Sequence, residues 1–164
     1  MMIERYEKIF MKLAAVFLFG AVAALVVSIA GGHASLPEPA GRIEPEQVRD
    51  TAPFDQPGVR EATADEKDEF DYKVTMVAQA WQWDPPAVEV PQGKRVRFEV
   101  TTVDVIHGFY IPNTQANAMI IPGQITELDL TFDESGQHSL ICHEYCGIQH
   151  HNMGGKINVT PAEK

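Results

Sequence analysis

The chain has 164 residues and a formal net charge of −10 at pH 7, with 45% hydrophobic residues, two cysteines and six histidines. That length holds one domain plus an anchor. The acidity excludes a nucleic-acid partner, which needs a basic surface, and leaves open attraction of a basic protein or simple solubility.

Met1 to Lys12 carries Arg5, Lys8 and Lys12 against Glu4 and Glu7, and the next eighteen residues, Leu13 to Ala30, bear no charge. As a helix that run spans about 27 Å, close to the hydrocarbon core of a bilayer, and Lys12 can snorkel to lengthen it. The basic flank comes first and no Lys or Arg follows until Arg42. This predicts a cytoplasmic N-terminus, with everything after Gly31 outside. A cleaved signal peptide competes, but the run exceeds the usual length of roughly 7–15 residues and no clean Ala-x-Ala site follows. Residues 1–31 are therefore read as a single-pass anchor in the plasma (inner) membrane, with the remainder periplasmic or extracellular. His33 belongs to the segment leaving the membrane.

Residues 32–70 read as a Pro-rich acidic connector. Pro37, Pro39, Pro45, Pro53 and Pro57, with Gly41 and Gly58, leave little room for a regular element beyond a short helical turn after Pro45. The connector runs into an acidic cluster of Glu61, Asp65, Glu66, Asp68, Glu69 and Asp71, relieved only by Lys67. Such runs are usually solvated faces.

Residues 71–164 read as one β domain. Tyr72 to Ala80, Arg95 to Val100 and Glu127 to Phe132 alternate apolar and polar residues, the mark of strands with one buried face. Shorter candidates are Ala87 to Val90, His138 to Cys142 and Lys156 to Thr160. Pro91-Gln92-Gly93 and Asp133 to Gly136 supply turns. The pattern predicts an antiparallel sandwich or Greek-key barrel. Continued past Ala80, the alternation puts Trp81 and Trp83 on the polar, exposed face, and two indoles there suggest a contact surface. A bulge near Ala80 would instead bury one of them.

The chemistry concentrates in Cys142-His143-Glu144-Tyr145-Cys146-Gly147-Ile148-Gln149-His150-His151-Asn152-Met153, which holds both cysteines and three of the six histidines. Thiolate, imidazole and thioether are the soft-to-borderline donors that hold copper. One further histidine upstream, His107, is well placed. A mononuclear blue-copper site uses one cysteine, whereas two thiolates with two histidines and a methionine can bridge two copper ions. A disulfide and a two-cysteine, two-histidine zinc site are the competing readings; zinc explains neither Met153 nor the flanking motifs. His143 and His151 are read as surface or supporting residues, and His138 as an ordinary strand residue.

The loop resembles the CuA centre of subunit II of haem–copper oxidases, with the pattern Cys-x-Glu-x-Cys-x3-His-x2-Met. Asp104-Val105-Ile106-His107, Pro112 and Ile121-Pro122-Gly123-Gln124 match as well, so the likeness covers roughly Tyr72 to Pro161. The resemblance implies a cupredoxin-like Greek-key fold and a binuclear copper site. In it Cys142 and Cys146 are the bridges, His107 and His150 the terminal ligands, and Met153 and the Glu144 carbonyl the weak outer ligands. It implies electron transfer from a c-type cytochrome or small cupredoxin to haem in subunit I, with Trp81 at the first position of an aromatic cluster that receives the donor. The Glu144 side chain would help hold magnesium at the subunit I contact. A single membrane helix resembles the short B-type branch, whose second helix can come from a small separate subunit. This chain has no candidate haem ligand within its apolar run and no Cys-x-x-Cys-His, so oxygen chemistry is expected to lie elsewhere. A tethered electron carrier outside any oxidase, or a copper delivery protein, are the alternatives; a nitrous-oxide reductase would need a larger catalytic domain.

Overall fold

The computed structural model describes residues 2–32 and 38–162; His33 and Pro37 lie outside them. It divides into two units, Met1–Glu38 and Pro39–Lys164. The first contains helix α1 (Met2–Ala30). Within Glu4–Ala30 an 18-residue window reaches a mean hydropathy of 2.7, enough in length and composition to cross a membrane. Apolar side chains lie all round it, with Phe17 at 81% and Phe19 at 77% exposed, as suits a helix solvated by lipid.

The second unit is a sandwich of two sheets. The strands are β1 (Gly41–Arg42), β2 (Gly58–Glu61), β3 (Tyr72–Gln79), β4 (Gln82–Asp84), β5 (Ala87–Pro91), β6 (Arg95–Thr102), β7 (His107–Tyr110), β8 (Asn117–Ile120), β9 (Gln124–Thr131), β10 (Gly136–Ile141) and β11 (Gly154–Thr160). One sheet has the order β1-β9-β6-β3-β2, with β4 paired to the end of β3; the other has the order β5-β11-β10-β7-β8. This is the cupredoxin-like sandwich that the resemblance implies. It is not wholly antiparallel, because β3 pairs with β6, and β5 with β11, in parallel. The chain leaves the first sheet after β4, runs along the second as β5 and returns as β6, and that crossover makes β3 and β6 parallel neighbours.

Valine and phenylalanine at alternate positions fill the space between the sheets. Val74, Met76 and Ala78 of β3 meet Val96, Phe98 and Val100 of β6, with Trp83, Phe109, Ile111, Leu140 and Ile157. The other face of β3 is buried too. Val48 and Phe54 cover Val77 in a second small core, with Ile43, Val103 and Ile125 packed against it. The stretch with five prolines thus supplies a 3-10 turn (Pro45–Asp50) that packs on the sheet and two short strands that form its edges. The helical turn falls where Pro45 can start it without losing a hydrogen bond.

The acidic cluster sits beyond the Tyr72 end of β3, and much of it is paired. Glu66 accepts from both Arg60 nitrogens at 2.6 and 2.7 Å, Asp71 from the Arg95 amide at 2.8 Å, and Glu69 from Arg97 at 2.8 Å. Arg60 holds Glu66 well below the usual carboxylate range.

Candidate metal centre

Twelve residues connect β10 to β11, and the ladder closes just above them where Ile141 pairs with Gly154. The Cys142 amide then donates to the Met153 carbonyl at 3.2 Å, so the first and last donor residues of the loop meet at its neck. His107 begins β7, whose Tyr110 pairs with Ile141. Pairing of β7 with β10 therefore carries the distant histidine to the loop. Gly108 permits the approach: a Cβ there would lie 2.6 Å from the His143 ring and 2.8 Å from the Glu144 nitrogen.

The donor atoms converge. His107 is fully buried and Cys142, Cys146 and Met153 nearly so. The His107, Cys142 and Cys146 donor atoms lie within 4.8 Å of one another. Cys142 Sγ is 3.8 Å from Cys146 Sγ, far beyond the bonded distance of about 2.05 Å, and both thiols are free. His107 Nδ1 is 3.2 Å from Met153 Sδ and 3.9 Å from Cys142 Sγ. His150 Nδ1 is 3.5 Å from Cys146 Sγ, which is also 3.5 Å from Met153 Sδ. The Glu144 carbonyl lies 3.3 Å from Cys142 Sγ. Six donors therefore gather in one pocket, and their softness fits copper better than zinc, which has no use for the thioether.

Burial, with Cys142 alongside, pushes the Cys146 thiol up to about 11. A metal bound here must displace those protons, so its affinity rises with pH. On the far side of His107, Nε2 lies 2.9 Å from Asp104 Oδ1. That bond places the imidazole proton on Nε2 and leaves the Nδ1 lone pair for a metal. Asp104 also accepts from the amides of Ala80 at 2.6 Å and Val105 at 2.7 Å and from the Thr102 hydroxyl at 3.0 Å. Burial opposes its charge most strongly, but these bonds together hold the carboxyl below its ordinary range. The sequence places Asp104 in the motif that leads to His107 but gives it no role; an acid three residues before a ligand histidine was the available signal.

Adjacent histidines separate cleanly. His150 is half-buried with its Nδ1 at Cys146, whereas His151 is exposed. His143 packs edge-on against Tyr110, and His138 lies on Phe132. The tryptophans depart from expectation. β3 stops at Gln79, a tight turn follows, and β4 runs back with Gln79 paired to Gln82 and Ala78 to Trp83. The face therefore switches, and Trp83 is buried, only 1% exposed, with its ring edge-on to Phe109 at 5.6 Å. Trp81 is half-buried at the turn and lies against Gly147, where a Cβ would come 3.0 Å from its Nε1. Gly147 has φ +118, a conformation that glycine adopts most readily. The tip of the loop exposes Tyr145 and Ile148, at 78% and 84%.

A family model described as cytochrome c oxidase subunit II, periplasmic domain, matches residues 74–160. The chain is 34% identical over 157 residues to a cytochrome c oxidase subunit 2 of Thermus thermophilus, covering 94% of this chain and 91% of that one. An alternative cytochrome c oxidase subunit 2 of Bradyrhizobium diazoefficiens is 33% identical over 72 residues, 44% of this chain and 26% of that one. Among solved structures, a haem–copper terminal oxidase dimer contains a chain 27% identical at a TM-score of 0.55, covering 94% of this chain and 99% of that one. The periplasmic domain of subunit II from Bradyrhizobium japonicum shares the fold, at 24% identity and a TM-score of 0.51 over 54% of this chain and 83% of that one.

Proposed function

Since the chain belongs to the cytochrome c oxidase subunit II family, we propose that it is the subunit through which electrons reach a haem–copper oxidase, by a binuclear CuA centre. The convergence of two unbonded thiols, two imidazole Nδ1 atoms, a thioether and one carbonyl carries this reading. Cys142 and Cys146 would bridge the pair, His107 and His150 would bind at either side, and Met153 and the Glu144 carbonyl would be the weak ligands. When bound, thiolate-bridged copper supplies a one-electron couple whose charge is shared by both ions. The rest is the work of this chain's residues. Burial of His107, Cys142, Cys146 and Met153 excludes water, and the Asp104 bond fixes the His107 ring. Both limit rearrangement when the charge changes.

Trp81 presents an indole half-open to solvent and packed on the ligand loop at Gly147, the expected contact for a c-type cytochrome or small cupredoxin. Trp83, being buried, supports His107 and Phe109 from within the core rather than meeting a donor. The acidic cluster lies seven residues back along β3 from Gln79, about 23 Å at 3.3 Å per residue, so it does not touch a donor seated at Trp81 and would act on a basic one only through its field. Tyr145 and Ile148 at the loop tip fit contact with subunit I, which receives the electron and reduces oxygen at haem. The Glu144 carboxylate is apt for magnesium at that contact, since magnesium prefers oxygen donors.

Helix α1 is proposed as a retained anchor with its N-terminus cytoplasmic, on the strength of Arg5, Lys8 and Lys12 ahead of the apolar run. Residues 71–164 would form the copper domain outside, after a connector at 32–70. One helix fits the short B-type branch, with a small single-helix subunit completing the membrane part. The test is metal content. The full chain should bind two coppers with one unpaired electron shared equally, and Cys142→Ser or Cys146→Ser should abolish the sharing. A single copper with a mononuclear spin signature in fully loaded protein overturns the assignment. Failure to isolate the chain with a haem-bearing partner points to a free-standing carrier.

A further inference from the structure

The turn that carries Trp81 is held from two sides. On one, Asp104 accepts from the Ala80 amide at 2.6 Å. On the other stands Arg49, from the proline-rich stretch that opens the second unit. Its Nη1 pairs with Asp84 and its Nη2 donates to Gln79 Oε1 at 2.7 Å. Gln79 is on β3 and Asp84 on β4, so one guanidinium bridges both strands of the hairpin. Planar, two-pronged donation suits this task, and lysine cannot reproduce it.

Arg49 is itself fixed. It lies in the last turn of a 3-10 helix whose Val48 is fully buried beside Phe54 and Val77, and Val103 of the same small core directly precedes Asp104. The clamp therefore rests on packed apolar residues rather than on a loose chain. Beyond the hairpin, Trp81 lies against Gly147 of the ligand loop and Trp83 against His107, with ring centroids 6.4 Å apart. We propose that Arg49 is a positioning residue for electron transfer, clamping the β3–β4 hairpin so that Trp81 stays seated on the copper loop. This deepens the proposed function and rests on Trp81 being the point where electrons come in.

Arg49 and Asp84 are each about 40% exposed, 38% and 40% by side chain, so their pairing adds little to global stability. The expected effect lies in the local population of the seated hairpin, on the order of two- to fivefold. The full chain in detergent offers a direct readout because it contains only two tryptophans. In metal-free protein, Arg49→Met should raise acrylamide quenching of tryptophan fluorescence about two- to fivefold, with Arg49→Lys between it and wild type. In copper-loaded protein the visible and spin spectra should stay unchanged, while one-electron reduction by a ferrous c-type cytochrome slows by a similar factor. Asp84→Asn should reproduce both effects, and the double variant should be no worse than either single one. In a Trp81→Leu background, Arg49→Met should slow reduction no further.

If Trp81→Leu slows reduction but Arg49→Met and Asp84→Asn change neither quenching nor rate, the positioning role is wrong and the site reading stands. If Trp81→Leu itself reduces at the normal rate, both fall. Should Arg49→Met fold poorly, Asp84→Asn decides alone.

Discussion

Replacing Gly108 by alanine tests how the ligand loop is seated. A methyl at that position would stand 2.6 Å from His143 Cγ and Nδ1 and 2.8 Å from the Glu144 nitrogen. Carbon contacts relax near 3.5 Å, so the loop must retreat by about 0.7–0.9 Å. His143 is partly exposed and can swing aside, but the Glu144 nitrogen is backbone between the two thiols and cannot. Such a shift exceeds the tolerance of about 0.5 Å within which a functional site keeps its geometry. Overpacking of this kind costs about 1–3 kcal/mol, a fall in Tm of roughly 3–15 °C for a domain of this size. Calorimetry on metal-free full chain measures the first effect, and the absorption and spin spectra of the copper-loaded chain measure the second. Adding His143→Ala removes the ring contact and leaves the backbone one, so stability should recover only in part. Gly108→Ala with wild-type Tm and an unaltered copper spectrum would refute the argument, because the loop would then not be held where the structure places it.

The adjacent histidines should behave oppositely: His150→Ala should abolish the normal copper spectrum and His151→Ala should leave it, and the reverse result would shift the ligand pattern by one residue. Trp83→Ala removes the largest fully buried side chain and should destabilise the domain by about 3–5 kcal/mol; a loss under about 1 kcal/mol in urea unfolding would show that the indole is not in the core. Arg95, through its amide first and its side chain second, holds the Asp71 carboxyl below the ordinary value. A depressed folded pKa adds stability above the unfolded pKa of about 3.9 and loses it as pH falls through the folded one. Asp71→Asn should therefore flatten the acid limb of the stability–pH profile, and an unchanged limb would show that the pairing contributes nothing.

The loop from Cys142 to Met153 declared its chemistry in the sequence, because its donors are close in the chain and their spacing is the site's own geometry. The apolar run of α1 was legible for a similar reason: burial in lipid depends on composition alone. Alternation at period two also revealed β3, β6 and β9, since each buries a face on neighbours of the same kind. What could not be read was anything set by contacts across the chain. The alternation carried past Ala80 put Trp83 outside, but the tight turn after Gln79 reverses the strand, and hydrogen bonding to β3 decides that, not the local pattern. Val48 and Phe54 looked like part of a linker because prolines surround them, and only the second face of β3, which carries Val77, gives them something to cover. The charges of Glu66, Glu69 and Asp71 read as a solvated run, and only the strands that bring Arg60, Arg97 and Arg95 alongside pair them. Even His107, plausible as a ligand by its motif, reaches the thiols only because β7 pairs with β10. Chemistry carried by a short segment is written in that segment, whereas exposure and pairing belong to surfaces that exist only once distant strands have met.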